Sequence, residues 1–416
     1  MELKSKKLLV IGLTWPEPTA TAAGVRMMQL LEMFIRYEYE TIFVSSATKM
    51  EHSTDLEAMG IAVHSVQLNS SSFDTFIKNL DPNIVLFDRF LTQEQFGWRV
   101  AEQCPNALRI LDSEDLHSLR HVRERCFKKG IPFTEARWLA DDKTKRELAS
   151  MLRSDLSLVI SSFEMELLRK SVGLDTSIVW HLPFMYDKIS QQPDWPQFEE
   201  RRDFMFIGGG RHSPNVDAIA YLEQDIWPKI RERISDAKCY VYGAYLPDAI
   251  HKLHNPKKGF YVRGRASSVS EVMKLARVCL APLRFGAGIK GKLMDAMLNG
   301  TPSITTAIGA EGMHGAMDWN GFICDDKEDF VRQAIELYSD KTMWQKAQEN
   351  GLKIIDALYN RFSLEKGVMD RITQLLLDLE THRAQNIMGR ILEHHTVQST
   401  KYLSKWIEEK NRNSKS

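Results

Sequence analysis

Nineteen residues, RFGAGIKGKLMDAMLNGTP (284–302), combine glycines, lysines and one acid at a spacing that suits a nucleotide diphosphate. Gly286 and Gly288 allow a ligand to approach the backbone just before a helix begins. A helix N-terminus carries partial positive charge, and Lys290 adds a full one. Asp295 lies about a turn and a half further on, within reach of a ribose hydroxyl when phosphates sit at the helix start. The alternative for Asp295 is a surface salt bridge with Lys292, three residues earlier, which would contribute under about 1 kcal/mol. On this reading Lys292 is a surface residue.

Three other stretches hold residues of the same kind. FIGGGRHSPN (206–215) sets three glycines after a strand, with Arg211 before a proline-initiated helix. Gly209 and Gly210 expose amides there, and the guanidinium can fork onto phosphate oxygens. TWPEPTATAAGVRMM (14–28) is a long loop that closes on Gly24 as a helix begins; Gly24 reads as a ligand-approach glycine or as a turn residue with equal weight. LDSEDLHSLRHVR (111–123) crowds Asp112, Glu114, Asp115, His117, Arg120, His121 and Arg123 after a strand. His117 reads equally as a catalytic group and as a satisfied structural histidine.

These residues need elements to hold them. In the opening stretch Leu293 and Met297, and Met294 and Leu298, define the buried face of a helix, Gly300 supplies a left-handed stop, and Pro302 prevents resumption. In the first half short apolar runs alternate with helices: 7–13, 41–46, 61–68, 83–88, 108–112 and 156–162 are strands. A capping box, Ser161-x-x-Glu164, opens a helix after the last. Such alternation predicts a parallel sheet covered on both faces, with ligands at the carboxyl ends of the strands. After a proline-rich break the pattern restarts, with strands at 203–209, 238–243, 259–264, 278–283, 302–306 and 321–324. Ser213 is the expected N-cap before Pro214. The expected domains are 1–185, a linker 186–202, a second domain 203–370 and a helical extension 371–416.

Composition narrows the function further. The chain has 416 residues, 43% hydrophobic and 26% charged, enough for two globular domains. Lysine plus arginine equals aspartate plus glutamate, 55 against 55, which gives nucleic acid no support as the main partner. Five cysteines are scattered without a CxxC pair, the pattern of reduced thiols rather than of a zinc site or a disulfide scaffold. No apolar run reaches membrane-spanning length. The expected setting is therefore cytoplasmic. From Arg383 to Ser416 there are seven Lys/Arg against three Asp/Glu. The stretch reads first as a solvated helix, and second as a peripheral contact with an anionic inner membrane face or a partner.

The order of these motifs resembles the GT-B fold retaining glycosyltransferases of family 4, the "glycosyl transferases group 1" type. The resemblance rests on FIGGGRHSPNVDAIAYLEQDIWPKI and APLRFGAGIKGKLMDAMLNGTPSITTAIGAEGM, with RILDSEDLHSLR and SDLSLVISSFEMELL in the first half, and covers roughly 7–370. It implies an α/β chain of two Rossmann-like doubly wound domains facing a cleft, with a nucleoside-diphosphate sugar held in the second. Arg211 and Lys290 match the family's diphosphate contacts, and Asp295 stands where glutamate usually takes the ribose. Gly24 matches a first-domain glycine near the phosphates, and His117 the histidine on the transferred sugar. Ala287 falls where the family has a paired acid, a departure shared by relatives with a GAGIK-type loop. The resemblance implies no metal and no separate cofactor, since cationic side chains stabilise the departing diphosphate, and an acceptor that is lipid-linked or a polysaccharide. Two other readings stay open: a sugar-nucleotide epimerase of the same fold, and a non-catalytic nucleotide-sugar-binding subunit.

Overall fold

The computed structural model describes residues 6–189 and 194–413. Residues 190–193 of the expected linker, and the ends of the first domain and of the extension (1–5 and 414–416), lie outside the described residues. The chain forms two parallel sheets. In the first, β1 (Lys7–Gly12), β2 (Glu40–Ser45), β3 (Ala62–Ser65), β4 (Ile84–Asp88), β5 (Leu108–Asp112), β6 (Leu156–Val159) and β7 (Val179–His181) lie in the order β3-β2-β1-β4-β5-β6-β7. In the second, β8 (Arg202–Ile207), β9 (Cys239–Tyr242), β10 (Phe260–Gly264), β11 (Ala276–Ala281), β12 (Ser303–Thr305) and β13 (Gly321–Ile323) lie in the order β10-β9-β8-β11-β12-β13. Both are doubly wound, with the order reversing beside β1 and β8. That reversal opens a crevice at the carboxyl ends of β1/β4 and β8/β11.

The central strands are apolar throughout because helices cover both faces. On one face of the first sheet Leu9, Ile11, Val85 and Phe87 pack with Leu119 and Trp138; on the other Leu8, Val10, Leu86 and Ile110 pack with Leu30 and Phe34. The second domain centres on Phe204, Phe206, Val241 and Leu280 against Ile219, Leu222 and Trp227. A further cluster joins the domains: Ile160 and Phe184 of the first pack with Leu293, Met294 and Met297 of the second.

The chain crosses between domains twice. Tyr186 N donates to Tyr359 O and Arg361 N to Tyr186 O, each at 2.8 Å, so the two crossings run side by side. The helix Arg361–Leu377 then buries Val368, Met369, Ile372 and Leu375 in the first domain's core. Re-entry to the first domain thus falls at about Asn360, ahead of the boundary expected at 370. The helix Ile387–Asn413 docks on the first-domain helices Arg89–Gln103 and Asp142–Leu152, while Leu379–Gln385 meets the segments leading into β5 and β6 through His382 and Arg383. His382 and Ser404 are buried there, so the extension is not a freely solvated helix. Its large apolar side chains Met388, Ile391, Tyr402, Leu403 and Trp406 instead face outward and are exposed. Among the described residues no helix is long and apolar enough to cross a membrane.

Candidate active site

The loop after β5 supplies the first-domain half of the site. Glu114 takes a left-handed conformation (φ 60°), as does Arg89 (φ 68°) at the end of the neighbouring β4. Non-glycine residues held in this region are strained, and such strain gathers at functional sites. The helix His117–Lys128 is fastened by a buried carboxylate: Glu147 accepts His117 N at 2.8 Å, Ser118 N at 2.9 Å and Ser118 Oγ at 2.5 Å. Trp138 Nε1 donates to that hydroxyl at 2.8 Å. His117 Nε2 lies 3.3 Å from Asp115 Oδ1, and Arg120 also pairs with Asp115. Burial depresses the imidazole to about 3, in spite of Asp115, so His117 is neutral and suited to hydrogen bonding a hydroxyl. Burial pushes the Asp115 carboxyl up, but Arg120, His117, His212 and Arg89 outweigh it and hold the group below its ordinary value.

The second-domain half comes from the loops after β8 and β11. Lys290 is the N-cap of the helix Gly291–Leu298. Its ammonium is buried, bonds the Gly288 carbonyl at 2.8 Å, and burial lowers it to about 8 against the pull of Glu311 and Glu164. Lys292, expected at the surface, turns inward and donates to Asn215 Oδ1 at 2.7 Å; burial lowers it to about 8 as well. No ion pair joins it to Asp295, so the expected surface salt bridge is absent among the described residues. The Asp295 carboxyl, raised by burial to about 7, has no hydrogen bond within the protein among the described residues. Arg211 is exposed, lies flat on the Tyr245 ring with 3.6 Å to its centroid, and pairs with no described carboxylate.

The glycines divide into two kinds. At Gly209 and Gly286 an added Cβ would meet nothing closer than 3.5 and 3.8 Å, leaving room beside the backbone. At Gly24 it would lie 2.4 Å from the Glu17 carbonyl carbon, at Gly210 2.2 Å from Tyr245 O, and at Gly288 2.6 Å from Asp115 Cβ. Those three are glycine because protein packs on them, whereas the sequence suggested approach by a ligand. Gly288 also has φ 65°, which independently demands glycine. Gly24 and Arg211 do line one cavity of about 400 Å³ together with Trp15, Glu17, Asp88 and Arg89.

Residues that sequence reasoning missed tie the halves together. Glu164 does not complete a capping box; Ser161 makes no side-chain cap, and Glu164 Oε1 accepts Leu116 N at 3.1 Å and, from the second domain, Gly288 N at 2.8 Å. Arg123 forks onto Glu311 at 2.7 and 2.8 Å and donates to the Gly286 carbonyl at 2.9 Å. Tyr245 Oη donates to Glu17 at 3.1 Å, and Ser213 Oγ to Glu124 at 2.9 Å. His212, not Ser213, is the N-cap of the helix Ser213–Tyr221, and burial depresses it to about 3. Arg123 was visible within the 111–123 cluster and Glu164 only as a capping-box residue; the second-domain partners of both, Glu311 and Gly288, are far off in sequence.

Arg123 is therefore a positioning residue for the glycine-rich loop. Arg123→Ala is expected to raise the donor KM about tenfold, as expected from losing one charge-assisted anchor. An unchanged donor KM in steady-state assays would contradict this role.

The buried acids also set a pH dependence. Burial raises Glu147 and Asp295 to about 7 and Glu114 and Glu164 to about 8. Each contribution is full below the ordinary carboxylate value, declines as pH rises while the folded state keeps a proton the unfolded chain has lost, and is gone once pH has passed through the folded-state value. His117 and His212 oppose this only below the ordinary histidine value of 6.5, where the unfolded chain takes up protons first. Lys290 and Lys292, lowered to about 8, oppose the acids from about that pH upward, so calorimetry of the ligand-free protein should show a midpoint that falls from about pH 6.5 to 7.5; a rising midpoint there would refute the assignment.

Comparison with known proteins agrees with the geometry. Residues 201–340 match the family model of the glycosyl transferases group 1. A search of the curated proteins finds no match. Among solved structures, sucrose-phosphate synthase from Thermosynechococcus elongatus superposes with a TM-score of 0.66 at 14% identity, covering 89% of this chain and 99% of that one. HepE from Anabaena, in complex with UDP and glucose, gives 0.67 at 10% identity, covering 88% and 99%. WaaG, a glycosyltransferase involved in lipopolysaccharide biosynthesis, gives 0.62 at 13% identity, covering 88% and 99%. At these identities the likeness shows the two-domain fold, while the family match is confined to the second domain. The chain has the two-domain GT-B fold, and its second domain, over residues 201–340, is similar to the glycosyl transferases group 1.

Proposed function

We propose that this protein transfers a sugar from a nucleoside-diphosphate sugar to an acceptor hydroxyl with retention of anomeric configuration, without a resident metal or separate cofactor. The observation that carries the reading is the buried Lys290 ammonium at a helix N-terminus, beside the open backbone of Gly286 and across the cleft from a neutral His117. Breaking the bond between the anomeric carbon and the diphosphate oxygen leaves negative charge on the departing group. Lys290, the helix amides and Arg211 are placed to stabilise it, and preorganised donors in a dry site do so without reorganising. Asp295, whose carboxyl has no hydrogen bond among the described residues, takes the ribose hydroxyls. His117 takes a hydroxyl of the transferred sugar. The acceptor hydroxyl attacks on the face the diphosphate leaves, and its proton passes to a diphosphate oxygen.

The cavity lined by Trp15, Asp88 and Arg89 supports an acceptor entering from the first domain. A lipid-linked or polysaccharide acceptor is the class we propose. The outward apolar row on Ile387–Asn413 supports a peripheral contact with the inner face of a membrane. A thermal-shift screen against nucleoside-diphosphate sugars tests the donor: stabilisation specific to one base is expected by ligand linkage. Incubating that donor with glycan acceptors, and reading the product anomer by NMR, tests the reaction. An inverted product, or no nucleotide release with any acceptor, would overturn the proposal.

A further inference from the structure

A second cationic site lies at the opposite end of the first sheet. β5 and β6 reach the cleft at their carboxyl ends, whereas Arg109, Arg153 and Asp155 sit at or just before their starts. A five-residue strand separates the two ends by roughly 16 Å. Here the docked extension leaves a groove of about 530 Å³ against the domain.

The charges lining this groove do not cancel. Asp155 is taken by Arg383, with two bonds of 2.7 Å, and by Arg109 N at 2.8 Å. Glu393 is taken by Arg109, and Glu102 by Lys401 at 2.9 Å. No lining carboxylate is left over. Two guanidiniums remain. Arg153, only 8% exposed, bonds neutral acceptors alone: Gln93 Oε1 at 2.8 and 3.2 Å, and Ser150 Oγ at 3.1 Å. Glu94, whose field also reaches Arg153, is already bidentate with Arg146 at 3.0 and 2.6 Å. Arg390 is exposed and makes no side-chain hydrogen bond or ion pair among the described residues. Beside them Arg109 Nε is buried without a hydrogen-bond partner among the described residues, with Asp155 Oδ2 3.6 Å away as its counter-charge. A buried guanidinium lacking a counter-charge is costly, and its planar fork matches a tetrahedral oxyanion.

We propose that this groove binds a phosphate-bearing anion, separately from the donor cleft, with Arg153 and Arg390 as its forks and the extension as its outer wall. Two uncompensated positive charges suit a dianionic phosphate better than a single carboxylate. The volume exceeds that of bare phosphate and falls in the range of small-ligand sites, so the natural ligand is a phosphoester with an organic group. A soluble phosphoester and an anionic phospholipid headgroup share this chemistry.

The test uses the full chain with the cleft silenced by Arg211→Ala and Lys290→Ala. Inorganic phosphate titrated calorimetrically into that protein at low salt is expected to bind at one remaining site. Adding Arg390→Gln should weaken it about tenfold, the loss of one charge-assisted contact. Because Arg390 is exposed, this variant keeps the fold; Arg153→Gln gives an independent second reading. Flotation with phosphatidylglycerol vesicles, against phosphatidylcholine, separates the sources. Vesicle binding lost in Arg390→Gln assigns the headgroup, and phosphate binding lost in Arg390→Gln without vesicle binding assigns a soluble ligand. No phosphate binding in the silenced protein, or binding indifferent to both substitutions, would overturn the proposal.

Discussion

Replacing Lys290 by alanine is expected to lower sugar transfer by about a hundred- to a thousandfold, the usual cost of removing one preorganised donor to a developing charge. The fold should survive. The ammonium is buried, burial depresses it to about 8, and among the described residues it bonds only the Gly288 carbonyl. Removing it relieves the burial of a charge and leaves the backbone of the glycine-rich loop held by Glu164 and Arg123. Turnover under saturating donor, compared with the melting midpoint of the same variant, separates the two effects. Full activity in a folded Lys290→Ala protein would remove the leaving-group role. The pH dependence of donor binding adds a second check: affinity should decline as pH rises through about 8, where the lysine loses its proton.

The largest loss of stability is expected at Arg26. Its guanidinium is 1% exposed, meets the fully buried Asp112 at 2.7, 2.9 and 3.1 Å, and donates to Leu182 O at 2.7 Å. It thus ties the first helix to the end of β5 and to the segment after β7. Arg26→Ala leaves Asp112 buried and unpaired beside Asp88 and Glu114, and breaking such a pair costs about 3–5 kcal/mol. Chemical denaturation should find that loss, and adding Asp112→Asn should recover part of it by removing the stranded charge. If the double variant is no more stable than Arg26→Ala, the carboxylate is not the source. Such non-additivity is the signature of direct contact.

The sheets were legible from sequence because strands buried on both faces are written as uninterrupted apolar runs. NIVLFD and LRILD contain β4 and β5. Short β7, only Val179–His181, disappeared into the proline-rich stretch that follows it. The candidate site was legible where its residues are close in sequence: Lys290 and Gly286 share one loop, and Arg211 follows the glycine triplet. It was illegible where a side chain acts across the cleft. Ser161 and Glu164 have the spacing of a capping box, yet the carboxylate turns to an amide more than a hundred positions away. Local spacing cannot distinguish the two partners. Lys292 misled in the same way, since its helical position allowed a surface pair with Asp295 while Asn215, from the next element inward, offered a buried acceptor.

The paired crossings at Tyr186 and Asn360 have a mechanical consequence. Two covalent connections, hydrogen-bonded to each other, form a ribbon instead of a single swivel. Twisting one domain about the chain would shear those bonds, whereas bending across the ribbon preserves them. Relative movement is thereby reduced to a door-like swing about one axis. A swing of this kind keeps the Arg123–Glu311 and Glu164–Gly288 partners in register each time the cleft shuts. The accuracy with which the two half-sites meet is then set at the hinge, far from where the sugar is transferred.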